Sequence, residues 1–166
     1  MAPDGSPKAE APGLIERVGR ALEAWAACVH MLLRDDAVSA EHALHVVVMN
    51  PSVQRDRVAF ESAILAERSV GEPQRWEADY AFYARAKARL AWREGATTHE
   101  IVDEMPACLR RGDLLVEGAV CRHGWIVAAS GAQPWYDAAF AAMLIELCHA
   151  DLRQSVAQAR QQGATW

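Results

Sequence analysis

Two pairs of short β-rich runs, separated by helical sequence, constrain the fold of this chain most. The four runs are Leu44–Met49, Arg57–Leu65, Leu114–Arg122 and Trp125–Ser130. Asn50-Pro51-Ser52 supplies turn residues between the first two, and His123-Gly124 makes a tight turn between the last two. Strands joined in this way form hairpins. The pattern therefore predicts a mainly antiparallel sheet, not the parallel sheet that arises when single strands alternate with helices.

The segments around these runs have helical periodicity. Apolar residues recur every three or four positions from Leu14 to Leu33, which predicts an amphipathic helix. Further helices are predicted over Gln74–Glu94, His99–Met105 and Pro134–Gln161. The element order α-β-β-α-(α)-β-β-α predicts an α+β fold with helices packed on the sheet, a plan shared by profilin-like domains. Such a plan does not fix a function.

Length and composition predict one packed domain. Of the 166 residues, 52% are hydrophobic and 23% are charged, as in ordinary globular proteins. Residues 1–12 are rich in proline and poor in large apolar side chains, so we predict a flexible tail before a single domain over 13–163. The sequence has no apolar run typical of a signal peptide or a membrane-spanning helix. We therefore expect a cytoplasmic protein without a membrane partner.

Charge and cysteine content narrow the functional classes further. A net charge of −5 argues against a nucleic-acid partner, because phosphate contacts require a basic surface. The four cysteines form no CxxC pair, so we expect free thiols in a reducing compartment. The alanine-rich composition, in which arginine far outnumbers lysine, is typical of GC-rich bacterial coding.

The six histidines show no spacing typical of a metal site. The His42-x-x-His45 pair lies at the start of a predicted strand and not on a helix, and no cysteine lies at zinc-finger spacing from it. Structural zinc is therefore not expected.

An aromatic face on the predicted middle helix is the first candidate for a binding surface. Residues at spacings of three and four share this face: Trp76, Tyr80, Tyr83, Lys87 and Leu90. The face could form one wall of a pocket for a flat ligand, with Lys87 near a ligand carboxylate. The alternative is a core stripe from which Lys87 reaches solvent along its aliphatic stem. We favour this second interpretation.

Other polar groups also have two interpretations. Asp137 in the first turn of the last helix could belong to an anion site there, or could simply favour the helix dipole. Ser130-Gly131-Ala132 lacks the glycines of a nucleophile elbow, so serine hydrolysis is disfavoured. The acidic residues around His99 could supply an acid or base, but a charged surface helix explains them better.

The second half of the chain resembles a known family. Val116-Glu117-Gly118-Ala119-Val120, the hairpin, Ala128-Ala129-Ser130-Gly131-Ala132 and Asp137 are similar to the last motifs of the GlcG/HbpS family, also called the haem-degrading or PduO C-terminal-like family. Ala86-Lys87-Ala88 resembles the Lys-Ala motif of that family's middle helix. The element order matches over about residues 14–150. Trp125 and Ala128 stand where the family has glycines, and Asn50-Pro51-Ser52 replaces an Asp-x-x-Gly turn.

The resemblance implies a haem or other flat small-molecule binding protein, a homo-oligomer, and a haem ligand on the first helix. His30 is the candidate iron ligand, although it could instead stabilise the C-terminal end of that helix through its charge. The cofactor-binding candidates that the resemblance implies are His30, Tyr83, Lys87, Trp125, Ser130 and Gly131.

Two alternatives to haem binding remain open at this stage. The substitutions at Trp125, Ala128 and Asn50 would reshape a pocket, which favours a small cofactor-independent isomerase, lyase or hydrolase. Its acid–base candidates are Lys87, Asp137, Glu117 and His123. The third possibility is a scaffold that serves only assembly, most simply with two-fold symmetric contacts.

Overall fold

A four-stranded antiparallel sheet lies at the centre of the protein, whose computed structural model describes residues 13–163. The strands are β1 (Ala43–Met49), β2 (Ile64–Gly71), β3 (Ala119–Arg122) and β4 (Trp125–Ser130), in the spatial order β2-β1-β4-β3. The helices are α1 (Leu14–Leu32), α2 (Tyr80–Glu94), α3 (Thr98–Asp103) and α4 (Pro134–Gln161). This arrangement confirms the predicted α+β fold and its order of elements.

Helices cover both faces of the sheet and create two separate cores. Leu44, Val46 and Val48 of β1 pack with α1 and α4, whereas Val47 and Met49 pack with α2. All seven residues of β1 are buried, because this strand is central and covered on both faces. This explains why its sequence is a continuous apolar run and does not alternate with polar residues.

Polar contacts join α1 to α4 above the first core. The buried indole of Trp25 donates a hydrogen bond of 2.8 Å to the carbonyl oxygen of Phe140. Arg17 contacts Asp151 at 2.8 Å, and Arg20 reaches the same carboxylate at 3.3 Å. The long last helix is therefore fixed along its length, and its C-terminal half extends beside the β3–β4 hairpin.

On the other face, α2 comes close to the sheet through small side chains. Ala84, Ala88 and Ala91 are buried against β1 and β4. Asp79 caps the helix by accepting a hydrogen bond of 2.9 Å from the backbone of Phe82. Thr98, at the start of α3, both donates to and accepts from the backbone of Ala119, which holds α3 beside β3.

Three predicted boundaries are wrong. The second strand was predicted over Arg57–Leu65, but β2 runs from Ile64 to Gly71, because turns and a short 3-10 helix occupy the preceding residues. The helix predicted over Gln74–Glu94 begins only at Tyr80, after the Asp79 cap. Only Ala119–Arg122 of the predicted Leu114–Arg122 strand pairs with β4. The predicted tail over 1–12 lies outside the described residues.

Candidate functional site

A buried ion pair lies between α2, β4 and the start of α4. The Nζ atom of Lys87 donates to Oδ2 of Asp137 at 2.7 Å and to the carbonyl oxygen of Ala129 at 3.1 Å. Lys87 is 3% exposed and Asp137 is 2% exposed. Lys87 is therefore buried, whereas the favoured interpretation of the sequence had its amine reach solvent.

The backbone around Asp137 completes this pair. The amide of Ala132 donates to Oδ1 of Asp137 at 2.9 Å, and the amide of Gly131 also favours the charged carboxylate. Burial nevertheless raises the pKa of Asp137 to about 6, although Lys87 acts in the opposite direction. Asp137 is thus more than a first-turn acid beside a helix dipole.

Gly118 is required for the pair to fit. Its φ is +136°, and a Cβ atom there would lie 2.7 Å from the Nζ atom of Lys87 and 2.8 Å from the carbonyl oxygen of Ala129. The Gly118 position in the Glu117-Gly118-Ala119 motif therefore leaves room for a buried amine. Neither Lys87 nor Asp137 lines one of the five principal cavities in the described part of the chain.

A second cluster of polar groups is open to solvent, in a groove between α4 and the β3–β4 hairpin. The groove has a volume of about 520 Å³, within the usual range for small-molecule sites. We call it the α4 groove; it is lined by Pro51, His123, Trp125, His149, Leu152, Arg153, Val156, Ala157 and Arg160.

Two histidines stack at one side of the α4 groove. The rings of His123 and His149 are 4.2 Å apart and within 8° of parallel. Glu146, one turn before His149, lies 3.5 Å from Nε2 of His123 and 3.0 Å from Arg122. The hydrogen bond from Arg122 lowers the pKa of Glu146, and His123 and His149 contribute to this shift. The imidazoles thus have a carboxylate beside them, as metal-binding histidines commonly do.

The position of His123 in the hairpin is conformationally unusual. His123 and Gly124 have φ angles of +53° and +81°, the signature of a two-residue hairpin turn that favours asparagine followed by glycine. A histidine here adopts the left-handed conformation that asparagine adopts more easily. The turn places its imidazole against α4.

The remaining wall of the α4 groove is apolar, with cations along the helix. Leu152, Val156 and the indole of Trp125 supply the apolar surface, although most of Trp125 is buried in the core. Arg153 and Arg160 also line the groove, and within residues 13–163 neither has an ion-pair partner. Such a surface suits a flat apolar ligand that carries carboxylates.

The other predicted site residues are dispersed. Ser130 ends β4 beside the buried pair and Gly131 follows it, where a Cβ at residue 131 would lie 2.3 Å from the carbonyl oxygen of Ala43. Tyr83 is on the outer face of α2 against Phe82. Glu117 lines a cavity of about 360 Å³ near Trp135. His30 is exposed in the last turn of α1 and lines none of the five principal cavities of the described chain.

Sequence reasoning missed His149, Arg153 and Arg160. Their spacing of four and seven residues along α4, with Leu152 and Val156 between them, is the signal that could have found the groove. Among the described residues, no group of three or more histidine, cysteine, aspartate or glutamate side chains could hold a metal ion by itself.

Comparison with known proteins shows a shared fold. No protein-family model matches the sequence, and no curated protein matches it. The structure is similar to that of the Klebsiella pneumoniae protein ORFY, of family DUF336, with a TM-score of 0.53 and 15% identity over 90% of this chain and 97% of that one. It is also similar to PduOC in a complex with heme, with a TM-score of 0.50 and 17% identity over 82% of this chain and 93% of that one.

The likeness to these two structures confirms, for the fold, the resemblance noted in the sequence. Among residues 13–163, none of the helices combines the length and the hydropathy that a membrane span requires.

Proposed function

We propose that this protein binds haem, or a similarly flat tetrapyrrole, in the α4 groove. The observation that carries the proposal is the combination, in one groove, of a stacked histidine pair, an apolar wall and two arginines without ion-pair partners among the described residues. The fold-level likeness to a protein whose structure contains heme is consistent with this ligand class.

The residues of the α4 groove fit the chemistry of haem. Bound haem supplies an iron that takes one or two axial ligands, for which histidine is a common choice. His123 and His149 offer imidazole nitrogens, Leu152 and Val156 would contact the apolar macrocycle, and Arg153 and Arg160 would pair with its carboxylates. Because the two imidazoles are stacked on each other, one of them and not both would hold the iron.

His30 is the competing ligand, because the sequence resemblance implies it. It is exposed beside Met31, which is 71% exposed, so a haem bound there would lie on an open helix surface. The α4 groove shields more of a flat ligand from water and also offers cations to its carboxylates. The groove is therefore our preferred location, and His30 serves as the comparison in the test.

The test is a haemin titration followed by the visible absorption of the bound haem. The variants His123→Asn and His149→Gln remove the imidazoles while suiting a left-handed turn and a helix, respectively. We expect saturation near one haem per chain for the wild type, and an affinity reduced by roughly tenfold or more in the double variant, which is about 1.4 kcal/mol or more. His99→Gln, which changes an exposed histidine of α3, is the matched control and should bind as the wild type does.

Three results would separate the possibilities. One result would move the site to α1 and overturn the groove. In it, the absorption change is lost in His30→Gln but persists in the double groove variant. Absence of saturable binding in the wild type would overturn haem binding altogether. Iron-free protoporphyrin should still bind the double variant, because the apolar wall and the arginines remain. If it fails to bind even the wild type, the role that we give the apolar wall and the arginines is overturned.

The predicted homo-oligomer stays a prediction. We propose that it forms through two exposed apolar side chains, Leu115 in the segment before β3 and Trp135 at the start of α4. Leu115 is 62% exposed and Trp135 is 61% exposed. Light scattering of the wild type and of Trp135→Glu would test this. A monomer in both, or an unchanged oligomer in the variant, would contradict it.

A further inference from the structure

A histidine, a serine and a glutamate meet on the face of the sheet that α2 covers. His45 of β1 lies directly opposite Ser69 of the edge strand β2, and Glu67 lies two residues before Ser69 on the same face. Nδ1 of His45 is 2.9 Å from Oγ of Ser69, and its Nε2 is 3.4 Å from Oε1 of Glu67. The three side chains are thus joined through the two nitrogens of one imidazole.

Burial differs among the three groups in a way that suits proton transfer. His45 is 8% exposed, whereas Ser69 is exposed at the edge of the sheet. Burial lowers the pKa of His45, although Glu67 opposes this shift, so the imidazole is neutral at neutral pH. A neutral imidazole that touches an exposed hydroxyl can accept its proton.

Arg85 of α2 holds the carboxylate in place. Its Nε and Nη2 donate to the two oxygens of Glu67 at 2.7 and 2.6 Å. This pairing lowers the pKa of Glu67, so the carboxylate stays ionised opposite the imidazole. A fixed carboxylate on one imidazole nitrogen selects the tautomer in which the other nitrogen is free to accept a proton.

An unsatisfied donor lies beside His45. The indole nitrogen of Trp76 is the single buried side-chain nitrogen or oxygen atom in the described residues that has no hydrogen-bond partner. The centroid of the Trp76 ring lies 6.2 Å from that of His45 and 5.5 Å from that of Tyr80, both in edge-to-face geometry. A buried N–H without an acceptor destabilises a protein by about 1–3 kcal/mol, so its presence here indicates a place for the oxygen of a ligand.

We propose that Ser69 is a nucleophile activated by His45, with Glu67 as the positioning residue, and that the site hydrolyses small acyl esters. The site is on the opposite side of the sheet from α4 and does not depend on haem binding. It also differs from Ser130, whose hydroxyl lies at the buried end of β4.

The chemistry balances without a cofactor. The oxygen of Ser69 attacks the acyl carbon while its proton passes to Nδ1 of His45. The ester C–O bond then breaks, and the leaving alcohol takes that proton. Water attacks the acyl-serine, its proton passes through His45, and the carboxylic acid leaves as Ser69 is regenerated. Within residues 13–163 no strand pairs with the outer side of β2, which leaves the acyl group free to approach Ser69.

The test is covalent labelling with a fluorophosphonate probe, with the labelled residue identified by peptide mass spectrometry. We expect labelling at Ser69, its loss in Ser69→Ala, and a rate reduced at least tenfold in His45→Gln. Ser62→Ala is the matched control, because Ser62 is also an exposed serine near β2, and it should label as the wild type does. Hydrolysis of p-nitrophenyl acetate should follow the same order.

Two results would overturn the proposal. One is the absence of Ser69 labelling in the folded wild type, and the other is labelling whose rate His45→Gln leaves unchanged. Should His45→Gln fail to fold, the pH profile of the wild-type labelling rate decides. It must rise as an imidazole loses its proton in the field of Glu67, Arg85 and Asp79, and a profile without that step would contradict the role of His45.

Discussion

Two polar clusters of this protein have opposite relations to solvent. Lys87 and Asp137 form a closed pair whose hydrogen bonds end on the backbone and on each other. His123 and His149 stack at the mouth of a groove, where Arg153 and Arg160 stand without ion-pair partners among the described residues. The closed pair is already satisfied internally, whereas the open cluster has unused capacity to bind. The difference between satisfied and unused hydrogen-bonding and charged groups distinguishes a structural role from a binding role.

The largest effect on stability is expected when one partner of the closed pair is removed. Asp137→Asn leaves the ammonium of Lys87 buried without a counter-charge, which should lower the free energy of unfolding by about 3–5 kcal/mol. Urea denaturation measures the effect. Asp103→Asn, at an exposed acid paired with His99, is the matched control and should change stability by about 0.5 kcal/mol at most.

The double variant Lys87→Met with Asp137→Leu tests whether the loss comes from the unpaired buried charge. Apolar side chains of similar size should recover most of the lost stability, because the buried charges and their desolvation are both removed. If Asp137→Asn were as stable as the wild type, the pair would not have the closed structural role assigned to it.

A smaller effect is expected at Gly118. Alanine there would have to adopt a φ of +136° and would place Cβ against Lys87 and the Ala129 carbonyl oxygen. Strain of this kind should destabilise the protein by about 1–3 kcal/mol, as measured by thermal denaturation. Gly112→Ala is a useful control, because its φ is also positive but nothing lies within 4 Å of an added Cβ. Equal effects at the two glycines would show that packing against Lys87 contributes nothing.

The smallest effects on stability are expected in the open cluster. His123 is 42% exposed in its side chain, and asparagine suits its left-handed turn, so His123→Asn should change the free energy of unfolding by less than about 0.5 kcal/mol. Arg160→Gln should likewise leave stability unchanged but weaken the binding of iron-free protoporphyrin several-fold. That loss should shrink at high salt, because the contact is an exposed ion pair. A destabilisation of several kcal/mol by either change would assign the α4 groove a structural role instead.

The sequence predicted the parts of the fold that depend on local patterns. The apolar run of β1 and the periodicity of α1 are local signals, and both elements form where they were expected. The predicted position of β2 was wrong, because this edge strand carries Glu67, Arg68 and Ser69, whose partners come from distant segments. A strand satisfied by such contacts has no apolar alternation to reveal it.

The site was harder to predict than the fold for the same reason. Lys87 and Asp137 were both singled out, but they are 50 residues apart and no local pattern shows that they form a pair. The stacking of His123 on His149 depends on how a hairpin turn packs against the last helix. Such pairings arise only from tertiary structure, and the sequence therefore identified individual groups without their partners.

The most direct test of the central claim is a crystal structure of the protein with haemin, with the iron located by anomalous diffraction. We predict an iron atom in the α4 groove, ligated by an imidazole nitrogen of His123 or His149, with Lys87 and Asp137 still paired beneath the sheet. An iron atom bound at His30, or haem found only between molecules of the crystal with no protein ligand, would contradict the assignment of the α4 groove as the binding site.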